Sequence, residues 1–102
     1  MILGRYTKQP SEILDYDIDF SEFLADGDTL ATTGNPPVPV PLEVSVSPTG
    51  LTLGPTYVIG GKTVKQWVSA GTIGVKYKVT LKLTSGAGRK KEIEFVVTVK
   101  DT

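Results

Sequence analysis

The chain of 102 residues has no cysteine and no histidine, a single tryptophan, and no excess of either charge, with eleven basic and eleven acidic side chains. Each absence removes a class of chemistry. Without cysteine there is no disulfide, thiolate metal site or cysteine nucleophile, and the composition suits folding in a reducing compartment. Without histidine the commonest general base and metal ligand is missing, so the plentiful serines and threonines lack their usual activator. A carboxylate pair on one strand face would stand in water, and no enzyme is expected. A net charge of zero gives no global attraction to nucleic acid or to an anionic membrane. No run approaches eighteen apolar residues, and Met1-Ile2-Leu3 is interrupted too soon for a signal-peptide core, so neither a membrane span nor an export signal is expected.

What is present is the grammar of short strands. Eleven glycines and seven prolines, with frequent valine and threonine, point to strands joined by tight turns, in a length sufficient for one domain with its own core. The clearest stretch is the last quarter. Val75, Tyr77, Val79, Leu81 and Leu83 alternate with Lys76, Lys78, Thr80, Lys82 and Thr84. After a glycine-containing connection, Ile93, Phe95, Val97 and Val99 alternate with Glu92, Glu94, Thr98 and Lys100, broken only by Val96. A period of two on both sides of a glycine turn is an antiparallel hairpin with one apolar face, which the rest of the chain must cover.

Residues 1–12 have no period and read as an extended N-terminal arm of the kind that orders against a partner, followed by a single domain over residues 13–102. Leu14, Tyr16, Ile18 and Phe20 alternate with Asp15, Asp17 and Asp19 as the first strand. Ser21 stands where it would cap one helical turn at most before Gly27. Residues 28–33 read as a weak strand. Residues 34–41 hold four prolines, which deny them ladder hydrogen bonds and favour a stiff surface connection, or else a strut facing a partner. Short strands follow at residues 42–47, 51–53, 57–59 and 64–69. Seven or eight such strands near ten-residue spacing are the pattern of an antiparallel β-sandwich. Tyr77, opening the penultimate strand after a glycine-rich turn, stands where immunoglobulin-like sandwiches place a tyrosine that ties down the preceding corner. The expected fold is therefore all-β, an immunoglobulin-like antiparallel sandwich with an arm.

The constellations that invite chemistry are weak. Asp15-x-Asp17-x-Asp19 lacks the glycine and closing glutamate of an EF-hand loop, because Phe20 continues a strand. No metal and no cofactor is expected. Gly86-Ala87-Gly88-Arg89-Lys90-Lys91 lacks phosphate-loop spacing and a following helix, so it reads as a basic hairpin loop. Its charges with Lys76, Lys78 and Lys82 have no interleaved aromatics to stack bases, and they suit the acidic edge of a protein neighbour equally well. Seven of the first thirty residues are acidic and two basic, whereas residues 62–91 carry eight Lys/Arg and no acid, so a bipolar molecule is expected. Trp67 alternates with Lys65 and Ser69, and either it packs in the core of an irregular strand or it is an exposed anchor; core packing is favoured. The candidate partner-facing residues are Arg5, Tyr6 and Lys8 of the arm, Pro36, Pro37 and Pro39 of the strut, and Arg89 and Lys90 of the loop.

Lys8-Gln-Pro-Ser-Glu-Ile-Leu-Asp-Tyr-Asp-Ile-Asp-Phe-Ser-Glu-Phe-Leu-Ala-Asp-Gly-Asp-Thr-Leu30, Gly50-Leu-Thr-Leu53, Trp67-Val-Ser-Ala-Gly-Thr-Ile-Gly-Val-Lys-Tyr-Lys-Val79 and Thr84-Ser-Gly-Ala-Gly-Arg89 together resemble a family of small tailed-bacteriophage proteins. Its pattern is DWSxWLxxGDTI, GLT, WLSGGTxGxxYxVT and TSxGR in that order. Phe20 and Phe23 stand where the family has its first tryptophans, and residues 34–41 are a proline-rich insertion. The resemblance implies a non-enzymatic, immunoglobulin-like virion component described as a fiber-tail adaptor. It further implies assembly in many copies in the host bacterial cytoplasm, located in the virion tail. The implied partners are a tail or connector protein, a fiber protein and neighbouring copies of itself, with no nucleic acid and no membrane. Two other readings stand beside it, a capsid decoration or cement protein and a surface- or carbohydrate-binding module. The arm and proline strut favour assembly, since a sugar binder should expose several aromatics on one face.

Overall fold

Tyr77, Val79, Leu81 and Leu83 on one strand face Val97, Phe95, Ile93 and Lys91 on the next, and this hairpin is the centre of a four-stranded sheet. The computed structural model describes residues 2–101. In chain order the strands are β1 (Ile2–Lys8), β2 (Leu14–Asp19), β3 (Thr32–Thr33), β4 (Val38–Pro39), β5 (Glu43–Ser47), β6 (Leu51–Ile59), β7 (Thr63–Ala70), β8 (Lys76–Thr84) and β9 (Lys90–Val99). One sheet runs β1-β9-β8-β5 and faces a second running β2-β7-β6, with β3-β4 as a small ladder beside them. This is the two-sheet order of an immunoglobulin-like sandwich, with the first strand laid on the last. The core between the sheets joins Ile18, Val58, Val64 and Val68 of one layer to Tyr77, Val79, Leu81, Leu83, Ile93, Phe95, Val97 and Val99 of the other. Fully burying each such side chain contributes roughly 1.5–3 kcal/mol, which offsets the ordering entropy of the strands.

Several expectations are corrected. The N-terminal segment is not a free arm: Ile2–Lys8 pairs parallel with β9, from Ile2 opposite Glu94 to Lys8 opposite Val99. The signal is faint because Tyr6 and Lys8 are its inward residues and one of them is charged. Met1 and Thr102, the outermost positions of the expected arm and sandwich, lie outside the described residues. Residues 51–59 form one strand rather than two, because the register shifts between Leu53 and Thr56 accommodate Gly54 and Pro55 as a bulge on an edge strand, where a missing N–H costs little. The single helical turn, Ser21–Phe23, is a 3₁₀ turn that Ser21 does not cap; the Ser21 N–H instead donates to Asp19 Oδ1 at 2.8 Å. The proline-rich segment is tied into the fold. Thr32 and Thr33 pair with Pro39 and Val38, and the Val58 N–H of β6 donates to the Pro37 carbonyl at 3.0 Å.

The sandwich closes differently along its two sides. Where β1 and β2 meet, Tyr6 stacks on Tyr16 with centroids 4.3 Å apart, and both rings pack against Phe95 at 5.8 and 5.6 Å. The Tyr16 hydroxyl is buried with no hydrogen-bond partner among the described residues, and burial pushes it above its ordinary value. On the other side the chain crosses from β5 to β6 through residues 48–50. No helix among the described residues is long and apolar enough to cross a membrane.

Candidate docking surface

The segments singled out in the sequence gather at the two ends of the sandwich. At one end Tyr77 is buried, and its hydroxyl accepts a hydrogen bond from the Thr72 N–H at 2.8 Å, bracing the turn of residues 70–75 against β8. Gly50 makes room for this ring. Its φ is +129°, and a Cβ there would lie 2.9 Å from the Tyr77 hydroxyl. The same turn holds Ala70 at φ +61°, a left-handed position unusual for a side-chain-bearing residue. Lys8 reaches it from the opposite sheet. Its Nζ donates to the carbonyls of Ala70 at 2.6 Å, Gln9 at 2.7 Å and Pro10 at 3.1 Å, and the residue is wholly buried. Burial pulls the Lys8 ammonium below its ordinary value, and the Glu12 carboxylate pulls it part of the way back. Lys8 is thus an internal tie between sheets and not a partner-facing residue, because the chain's own carbonyls take the place of solvent around its charge.

At the other end the Gly27-Asp28-Thr29 and Ser85-to-Arg89 segments, far apart in sequence, bind one another. Gly86 N–H donates to the Thr29 carbonyl at 2.7 Å, Ala31 N–H to the Thr84 carbonyl at 2.8 Å, and Ala87 N–H to Asp28 Oδ1 at 3.2 Å. Asp28 also accepts from the Thr29 N–H at 2.9 Å. The Ser85 hydroxyl, the two backbone N–H groups and the nearby Arg89 charge hold its carboxyl below the usual range. The hairpin loop is therefore fixed, with the Ser85 N–H on the Arg89 carbonyl at 2.7 Å and the Arg89 N–H on Ser85 Oγ at 3.1 Å. Beside it lies an open cleft of about 150 Å³ floored by Phe20, Phe23, Leu24, Leu30 and Leu83 and rimmed by Arg89, Lys90 and Lys91. Lys91 Nζ sits 4.5 Å over the Phe23 ring, a cation–π contact that draws one rim charge onto the floor. An apolar floor with a cationic rim accepts an apolar side chain flanked by carboxylates.

The remaining candidates are scattered. Arg5 is exposed on the outer face of the four-stranded sheet, and Tyr6 is half-buried in the aromatic stack. Pro36 and Pro37 are exposed at the tip of the β3–β4 ladder, whereas Pro39 is buried within it. Arg89 and Lys90 are exposed at the cleft. Part of the basic stretch is paired locally: Lys78 with Glu94 at 3.2 Å, Lys82 with Glu92 at 3.8 Å and Lys90 with Glu43 at 2.6 Å. Glu92 and Glu94, which follow the lysine-rich stretch directly, and Glu43 from β5 supply the acids that the stretch itself lacks. Trp67 is likewise not a core residue. On β7 Val64, Gln66 and Val68 are buried, and Trp67 shares the half-exposed outer face with Lys65 and Ser69.

Among the described residues no group of three or more His, Cys, Asp and Glu could hold a metal ion. What the fold defines is an immunoglobulin-like module whose built features are surfaces, a basic-rimmed cleft at one end and an aromatic face on one sheet. Comparison with known families is specific: residues 8–98 match the family Gp77, described as podophage GP4 fiber-tail adaptor protein gp77, and the chain belongs to that family. No curated protein matches the chain.

Proposed function

We propose that the chain is a non-enzymatic structural component of a podophage virion that joins the tail or head–tail connector to tail fibers, and that it is present in several copies touching one another. The family's description supports the adaptor role. The observation that carries it to a place on this molecule is the cleft over Phe20 and Phe23, because the segments that match the family at Asp28 and at Arg89 meet there to hold a rigid, basic rim. An acidic segment of a tail or fiber protein is its partner, and assembly takes place in the host cytoplasm, where a chain without cysteine loses nothing to reducing conditions.

The test is a charge reversal in the assembled particle. Arg89→Glu together with Lys91→Glu alters exposed or half-exposed side chains and should leave the melting temperature of the isolated chain within a few degrees of the parent. The variant should be depleted from purified particles, and those particles should carry fewer fibers. Normal incorporation with normal fiber content removes the cleft from the adaptor reading. Recovery of the parent chain with fiberless capsids rather than with tails favours a capsid cement role instead.

A further inference from the structure

The outer face of the β2-β7-β6 sheet carries a feature that a merely solvated face does not need. An open cavity of about 340 Å³ lies over Trp67, lined by Ile13, Gly54, Pro55, Tyr57 and Ser69. Ile13 is 69% exposed, a large aliphatic side chain left in water at the rim. The hollow exists because β6 bulges at Gly54 and Pro55, and the bulge is held from beneath. Gln66, wholly buried, donates its amide to the carbonyls of Gly54 at 3.1 Å and Trp67 at 2.9 Å and accepts from the Thr56 hydroxyl. Gly54 is required there, since a Cβ would lie 2.8 Å from the Trp67 Cβ. A satisfied buried polar network under a half-exposed indole fixes the ring at a set height, and such bulges gather beside functional sites.

Charge singles out what the hollow accepts. Asp15 lies directly opposite Trp67, and Asp17 directly opposite Lys65. Lys65 Nζ reaches both carboxylates, Asp15 at 2.5 Å and Asp17 at 3.1 Å, so two negative charges share one positive charge beside the indole. One negative charge is in excess. An indole face and an excess carboxylate both attract a planar cation, and a guanidinium can lie flat on the ring while hydrogen-bonding a carboxylate in its own plane.

We infer that the Trp67 face is a second protein-docking site, distinct from the cleft at Phe20, which takes an arginine flanked by an apolar side chain from another virion protein. The guanidinium stacks on Trp67 and pairs with Asp15, and the apolar neighbour fills the space between Ile13 and Pro55. The inference rests on the adaptor reading for the kind of partner and adds to it what a bridge requires, a second surface at a separate place on the molecule.

A photo-reactive benzoylphenylalanine at Tyr57, on the rim of the hollow, tests this in the full chain within assembled particles. Irradiation should join it to a peptide of a different virion protein with an arginine within a few residues of the cross-link. Adding Trp67→Ala should lower the yield at least about tenfold, the loss expected of a central aromatic anchor. Trp67→Phe should retain most of it, and Asp15→Asn with Asp17→Asn should lower it severalfold while the isolated chain keeps a cooperative melt. The phenylalanine and asparagine variants carry the test if the alanine variant fails to fold. Cross-linking to a second copy, to glycan or to a segment without a cation overturns the inference, as does a yield indifferent to Trp67. Particles that hold the chain but give no cross-link overturn it alone; particles that never take up the parent chain overturn the adaptor reading and this inference together.

Discussion

Single side chains at one end of the sandwich hold it in ways that mutation can read. Tyr77→Phe removes the acceptor for the Thr72 N–H and should cost about 1–2 kcal/mol in chemical denaturation, a typical price of an N–H left unpaired beside a buried ring. Unchanged stability would show that the turn of residues 70–75 is held by its backbone alone. Lys8→Met keeps length and apolar stem but leaves the carbonyls of Gln9, Pro10 and Ala70 without the ammonium. A loss of about 1–3 kcal/mol is expected, since three carbonyls lose their donor, a cost that relief from burying the ammonium offsets only in part. If the methionine variant proves as stable as the parent, the tie between the two sheets is structural decoration only.

At the scale of elements, β1 and the β6 bulge deserve separate experiments. An arm that orders only on a partner could be deleted without cost to the isolated domain. The observed β1 could not, because its loss uncovers the edge of β9 and takes away Tyr6 and Lys8 together. Deleting residues 1–8 should therefore abolish a cooperative thermal transition, and a sharp melt near the parent's would mean that β1 contributes little. For the bulge, Gly54→Ala pushes a methyl into the Trp67 Cβ and should destabilise by about 1–3 kcal/mol, the usual cost of overpacking. The Trp67 fluorescence spectrum should shift with it, because the indole is displaced rather than merely loosened.

For the whole molecule the acidic groups set the response to pH. Side-chain hydrogen bonds with Lys65 and Ser85 hold Asp15 and Asp28 below the ordinary carboxylate value of 3.8, and backbone hydrogen bonding at Ser21 does the same for Asp19. A carboxyl whose folded value is depressed contributes stability that is fully present above the unfolded value and is lost as pH falls through the folded one. The melting temperature should thus be nearly level from pH 7 to about 5 and fall below about pH 4. Asp28→Asn should flatten that fall by removing the group that staples two loops together. Because these side chains reach solvent, added salt should weaken the pairs between Lys65 and the aspartates more than it weakens the core.

Local alternation was enough to place the β8–β9 hairpin, the β2 strand and the all-β sandwich, because a period of two is written residue by residue and glycine turns punctuate it. Tyr77 was legible for the same reason, as a residue whose place depends on the turn just before it. Tertiary structure alone decided the rest. The pairing of β1 with β9 joins opposite ends of the chain in parallel, so no neighbouring residue announces it. Lys8 could be assigned to the interior only once the Ala70 carbonyl was seen beside it, and Trp67 to the exterior only once Gln66 was found satisfied within. A buried polar side chain and an exposed aromatic invert the rule that alternation assumes. Partners brought from other strands, rather than anything in the residues themselves, made both inversions tolerable.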